Sequence, residues 1–138
     1  MQFRLLRIKL IIMKVFKFFV PLFLFLISFY SCAQDGLTNS LTVKELKDKL
    51  KNNDTTMVLL DVRTDAELTG MFPKIDGALH IPVQELGKRF GELEKYKDKE
   101  IIAVCRTQNR SSKAAKFLIK KGYNVKFVLG GMQEYYKK

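Results

Sequence analysis

The sequence predicts an α/β fold: a central, mainly parallel sheet with helices on both faces. Three observations carry this expectation. Short apolar runs of strand length recur along the chain, stretches of helical apolar spacing separate them, and capping signals mark several boundaries. Strands that alternate with helices close most economically into a parallel sheet buried on both sides.

The elements follow in order. Thr42-Val43-Lys44-Glu45 has the form of a capping box and opens a helix to about Leu50, with Val43, Leu46 and Leu50 on one face. Asn52-Asn53-Asp54 ends it. Met57 to Val62 is a short apolar run, the mark of a strand buried on both faces. Thr64 to Glu67 is a second capping box and begins a brief helix. Gly77 to Pro82 reads as a strand closed by proline. Helical spacing returns from Val83 to about Leu93 through Leu86 and Phe90. Ile101 to Val104 is a strand that runs directly into Cys105. A helix is expected from about Ser111 to Lys121, with Ala114, Ala115, Leu118 and Ile119 facing inward and Gly122 as its stop. Val125 to Leu129 is the last strand, followed by Gly130-Gly131 and a short helix.

The 138 residues suit one domain. A content of 47% apolar residues excludes wholesale disorder. Two cysteines and one histidine exclude a four-ligand Cys/His zinc site and a multi-disulfide scaffold. The formal charge of +11 points at first to nucleic acid or a membrane surface. Residues 1–31, however, hold five basic residues and no acid; the remainder has 20 basic and 14 acidic residues, a net +6. That weakens a nucleic-acid reading.

Residues 1–31 have the grammar of an export signal: a basic start, the uncharged block Phe18–Tyr30, and a small residue, Ser31, ahead of Cys32. The block is too short for a bilayer-spanning helix, which needs about 20 apolar residues. Met13 offers an alternative start that gives a signal of ordinary length. The stretch Ile27–Cys32 resembles a bacterial lipoprotein box, which would make Cys32 the lipidated first residue and place the protein in the periplasm or cell envelope on a lipid anchor. It departs from that box at Phe29 and Tyr30. Cleavage after Ala33 and an uncleaved anchor are the competing readings. Residues 32–40 read as a tether and residues 41–138 as the folded domain.

The chemistry concentrates in Cys105-Arg106-Thr107-Gln108-Asn109-Arg110-Ser111. A tight turn between a buried strand and a helix aims several backbone N–H groups at one spot, and the helix terminus adds partial positive charge, forming an anion cradle. Arg106 and Arg110 flank it. Such surroundings favour the thiolate of a central cysteine, a nucleophile toward sulfur donors. The bland alternative is a buried structural cysteine, but two arginines beside a structural thiol have no packing purpose.

This loop resembles the active-site loop of rhodanese-type sulfurtransferases, Cys-Arg-x-Gly-x-Arg-Ser/Thr. Further matches follow in the family's order: Leu60-Asp61-Val62-Arg63, Glu67 with Ile75–Pro82, and Leu129-Gly130-Gly131-Met132. The resemblance spans about residues 41–136 and implies a rhodanese-like five-stranded sheet. It also implies Cys105 as nucleophile and the loop residues Arg106, Thr107, Gln108, Asn109, Arg110 and Ser111 as the anion cradle. The loop is one residue shorter than that of the related Cys-x5-Arg phosphatases, since Arg110 stands five positions after Cys105. Gln108 replaces the usual Gly; were a left-handed backbone needed there, it would cost about 1–2 kcal/mol. Lys74 replaces a common His, with two extra residues ahead of it within Gly70–Pro73, and Asp76 replaces Pro.

Arg63 is expected either to orient the site or to form a structural ion pair. Asp61 and Glu67 are read as supports that hold an arginine such as Arg110, and His80 as packing or surface. The implied activity is transfer of sulfane sulfur from thiosulfate or a related anionic donor to cyanide or a thiol through a Cys105 persulfide, with no metal or organic cofactor. The alternative is a membrane-anchored persulfide carrier with little turnover. Nothing in the sequence bears on oligomeric state.

Overall fold

The computed structural model describes residues 39–137. The proposed signal, Cys32 and nearly all of the tether lie outside them.

Five strands, β1 (Ser40–Leu41), β2 (Met57–Asp61), β3 (Leu79–His80), β4 (Glu100–Val104) and β5 (Val125–Val128), form one sheet in the order β1-β5-β4-β2-β3. All four pairings are parallel. The helices are α1 (Val43–Lys51), α2 (Asp65–Leu68), α3 (Leu86–Arg89), α4 (Asn109–Lys120) and α5 (Gly131–Tyr135), with a 3-10 segment over Phe90–Tyr96. The α/β fold with a five-stranded parallel sheet expected from the sequence is the observed one.

Period-two alternation accounts for the two buried faces. On β4, Ile101 and Ala103 enter one core with Leu86, Leu93, Ala114, Ala115 and Leu118 from α3, the 3-10 segment and α4. Ile102 and Val104 enter the other with Leu46 of α1 and Met132 of α5. Cys105 continues the first row, so its side chain lies in the core shared with α4.

Both capping boxes form. Thr42 Oγ1 accepts from Glu45 N at 3.2 Å while Glu45 Oε2 accepts from Thr42 N at 2.8 Å. Glu67 Oε2 likewise accepts from Thr64 N at 3.1 Å. Gly122 ends α4 with φ +85°, a conformation costly for other residues.

Three expectations need correction. The strand expected over 77–82 contains only Leu79–His80 as strand: Ala78 N donates to Ile75 O in a turn with Gly77 at φ +76°, and the neighbouring β2 ends at Asp61. The expected helix over 83–93 is a single α-turn that tightens into the 3-10 segment. Ile119, expected on the inner face of α4, is 37% exposed; it lies about 100° round the helix from Leu118, past the edge of the buried stripe. The fifth strand is the two-residue β1, too short to carry a sequence signal.

Strand order positions the site. From β2 the chain moves outward to β3, then returns to β4 on the other side of β2 and continues outward to β5. The progression reverses between β2 and β4, and in open parallel sheets the crevice beyond that reversal binds ligands. Cys105 follows β4 there, and Arg63 follows β2.

Candidate active site

Cys105 is 2% exposed and is a free thiol. Its Sγ lies 3.4 Å from the backbone N of Ser111, which donates to it, and 3.4 Å from the Ser111 hydroxyl. Ser111 Oγ in turn donates to Gln108 O at 3.2 Å. Ser111 is in the first turn of α4, whose N–H groups have no acceptor within the helix and carry the positive end of its dipole. The sulfur therefore sits where a developing or resident negative charge is stabilised.

The loop faces this way because α5 holds its back. Met132 N donates to Cys105 O and Gln133 N to Arg106 O, both at 2.9 Å. Within a trans peptide the C=O and N–H point in opposite directions. With these two carbonyls turned toward α5, the N–H groups of Arg106 and Thr107 turn away from it. Gly131 makes this approach fit: a Cβ there would overlap the carbonyl oxygens of Thr107 and Cys105, and its φ is +57°.

Gln108 has φ −150°, so the loop demands no left-handed residue at this position. Its side chain adds a contact that sequence reasoning missed: Gln108 Oε1 accepts from Gly130 N at 2.9 Å. Only the proximity of the Gly130 turn to the loop reveals that contact.

The supporting charges divide into two pairs. Glu67 receives Arg110 in a bidentate bridge, both N–O distances 2.6 Å. This hydrogen bonding to Arg110, reinforced by Thr64, holds the Glu67 carboxyl well below the usual carboxylate range, at about 2. Asp61 receives Arg63: Nε stands 3.0 Å from both carboxylate oxygens and Nη2 2.6 Å from Oδ2. Both residues are buried, and Arg63 also donates to the carbonyls of Glu67 and Phe72. Arg63 thus forms the expected ion pair with Asp61, and it also borders the cleft beside the loop. Arg106, Gln108 and Asn109 are exposed, and Thr107 and Arg110 half-buried. Arg106 is the one charged side chain of the loop without an ion-pair partner among the described residues. His80 lies half-buried with Nε2 2.8 Å from Arg63 O and makes no bond to Cys105 among the described residues.

A cleft of about 240 Å³ opens beside the loop, bounded by Arg63, Ala66, Glu67, Gly70, Met71, Phe72 and Arg106. Sequence reasoning marked this segment only through its two extra residues. Among the described residues no three His, Cys, Asp or Glu side chains converge as a metal site.

A family model described as "Rhodanese-like domain" matches residues 42–138. The chain belongs to this family. Its rhodanese-like relatives include "Putative sulfurtransferase YtwF" of Bacillus subtilis, 34% identical over 67% of this chain and 84% of that protein. A "Sulfurtransferase" of Allochromatium vinosum is 31% identical over 63% of this chain and 77% of its own length. Among solved structures, a rhodanese-related protein from Thermoplasma volcanium is 33% identical with a TM-score of 0.61, covering 70% of this chain and 89% of that one. Family and named relatives support a rhodanese-type sulfurtransferase.

Proposed function

We propose that the chain is an exported sulfurtransferase that carries sulfane sulfur as a persulfide on Cys105. The observation that supports this most is the buried Cys105 Sγ facing the Ser111 N–H at 3.4 Å, at the N-terminus of a twelve-residue helix. In the first half-reaction the Cys105 thiolate attacks the outer sulfur of thiosulfate. The Sγ–S bond forms, the S–S bond of thiosulfate breaks, and sulfite leaves with the electron pair. The persulfide anion remains beside the first turn of α4, whose N–H groups and dipole stabilise it. In the second half-reaction cyanide or a thiolate takes the terminal sulfur and the Cys105 thiolate returns. The order of events is ping-pong.

Ser111, Thr107 and the loop N–H groups form the cradle in this reading, and Arg106, without an ion-pair partner among the described residues, draws anionic donors in. Arg110 acts through its bridge to Glu67, fixing the end of the loop. The basic and apolar segment of residues 1–31 supports export, and Cys32 supports a lipid anchor.

Mass spectrometry after incubation with thiosulfate tests the proposal. One added sulfur on Cys105, lost on treatment with cyanide with release of thiocyanate, is the expected result. A Cys105→Ser variant that retains transfer rules the mechanism out. Sulfur uptake without turnover leaves a persulfide carrier in its place.

A further inference from the structure

Helix α4 presents to solvent a face that the transfer chemistry does not use. Lys113, Lys116 and Lys120 are exposed and, at spacings of three and four, share about 60° of its circumference. They lie opposite Ala114, Ala115 and Leu118, which enter the core. Half-buried Phe117 and Ile119, 37% exposed, flank them. None of the three lysines has an ion-pair partner among the described residues, and the sequence holds no acid between Glu100 and Glu134.

Other helical segments place acids among their cations. On α1 Lys44 pairs with Asp48, Arg89 at the end of α3 pairs with Glu85 and Glu92, and Lys97 pairs with Glu94. A helix that met only water would gain from acids four residues from its lysines, because like charges at that spacing repel. Three aligned, uncompensated lysines suit a flat anionic surface. The chain also enters the domain near this helix. Asn39 O accepts from Phe127 N at 3.0 Å, so the entry runs beside β5, and Phe127 shares the core under α4. Cys32 precedes Asn39 by seven residues, a reach of at most about 25 Å.

Resting on the export and lipid-anchor reading, we infer that this lysine stripe docks the domain onto an anionic lipid surface. The three ammonium groups meet lipid phosphates, and Ile119 adds exposed apolar surface beside them. An anchor at Cys32 holds the domain within the tether's reach of the bilayer, so weak charge attraction suffices to orient it. With α4 lying along the surface, the cysteine loop at its N-terminus opens sideways and is not covered by lipid.

Acylation with a neutral lysine reagent, read site by site by mass spectrometry, tests this on the full chain. The chain is mixed with vesicles of phosphatidylcholine alone or with added phosphatidylglycerol. Labelling of Lys113, Lys116 and Lys120 should fall by roughly tenfold or more on the anionic vesicles only. Lys51, exposed on α1 across the sheet, should be labelled equally on both. In Lys113→Gln/Lys116→Gln the docked-to-undocked ratio, read at Lys120, should drop about 25-fold, about fivefold for each charge removed. High salt should abolish the protection. Co-flotation with the neutral vesicles reads the anchor separately. A chain that floats without protection of the stripe, or with protection equal on both vesicles or unchanged in the double variant, overturns the docking surface and leaves the anchor standing. Protection by polyglutamate but not by vesicles assigns the stripe to an acidic protein and likewise overturns it. A chain that floats with neither vesicle and shows no protection overturns both.

Discussion

The carbonyl of Cys105 accepts from the N–H of Met132 at 2.9 Å, and this bond ties the loop that bears the thiol to the start of the last helix. The contact requires the missing side chain of Gly131. A Gly131→Ala substitution should force the two apart, because its Cβ overlaps two loop carbonyls and its φ is positive. Destabilisation of about 2 kcal/mol or more is expected, with loss of most transfer activity, read by denaturant titration and by kcat/KM with thiosulfate.

Removing one partner of the buried Asp61–Arg63 pair should be severe. Arg63→Met leaves the Asp61 carboxylate, 0% exposed, without its cation. The expected loss is about 3–5 kcal/mol, and the double variant Asp61→Asn/Arg63→Met should recover part of it. Equal stabilities of single and double variants in urea titrations would contradict the pairing.

Glu67→Gln breaks the bidentate bridge to Arg110. Both side chains are roughly 30% exposed, so solvent screening limits the loss of stability to about 1 kcal/mol. Activity should fall more than stability, because Arg110 ends the loop. A kcat/KM equal to wild type would show that the bridge does not position the loop.

The same carboxylate sets a pH dependence. Its folded value of about 2 lies below its ordinary 4.5, so ionised Glu67 stabilises the fold at and above pH ~5. That contribution is lost as pH falls from about 4.5 through about 2. The stability gap between wild type and Glu67→Gln should therefore be constant from pH 5 to 7 and close over the acid range, as measured by urea midpoints.

Gln108→Gly should not improve the loop. At φ −150° glycine relieves no strain, and the bond from Gly130 N to the Gln108 side chain is lost. A loss of about 0.5–1.5 kcal/mol is expected from the added chain entropy and the missing bond. A more stable glycine variant by thermal melting would contradict this account.

The sequence by itself determined the elements whose information is local. Short apolar runs set β2, β4 and β5, the Thr42/Glu45 and Thr64/Glu67 boxes set two helix starts, and Cys105–Ser111 marked the loop, because apolar runs and caps are patterns among residues a few positions apart. Tertiary structure alone decided the rest. It added the two-residue β1 and placed Arg63 on Asp61. It also brought the Gly130–Met132 turn against the back of the cysteine loop and left Met71 standing at the cleft. Each of these depends on contacts between distant segments, whose partners no local pattern specifies. An α/β sheet with a cysteine at a strand end was thus legible at the outset, but the orientation of that cysteine's loop required the packed fold.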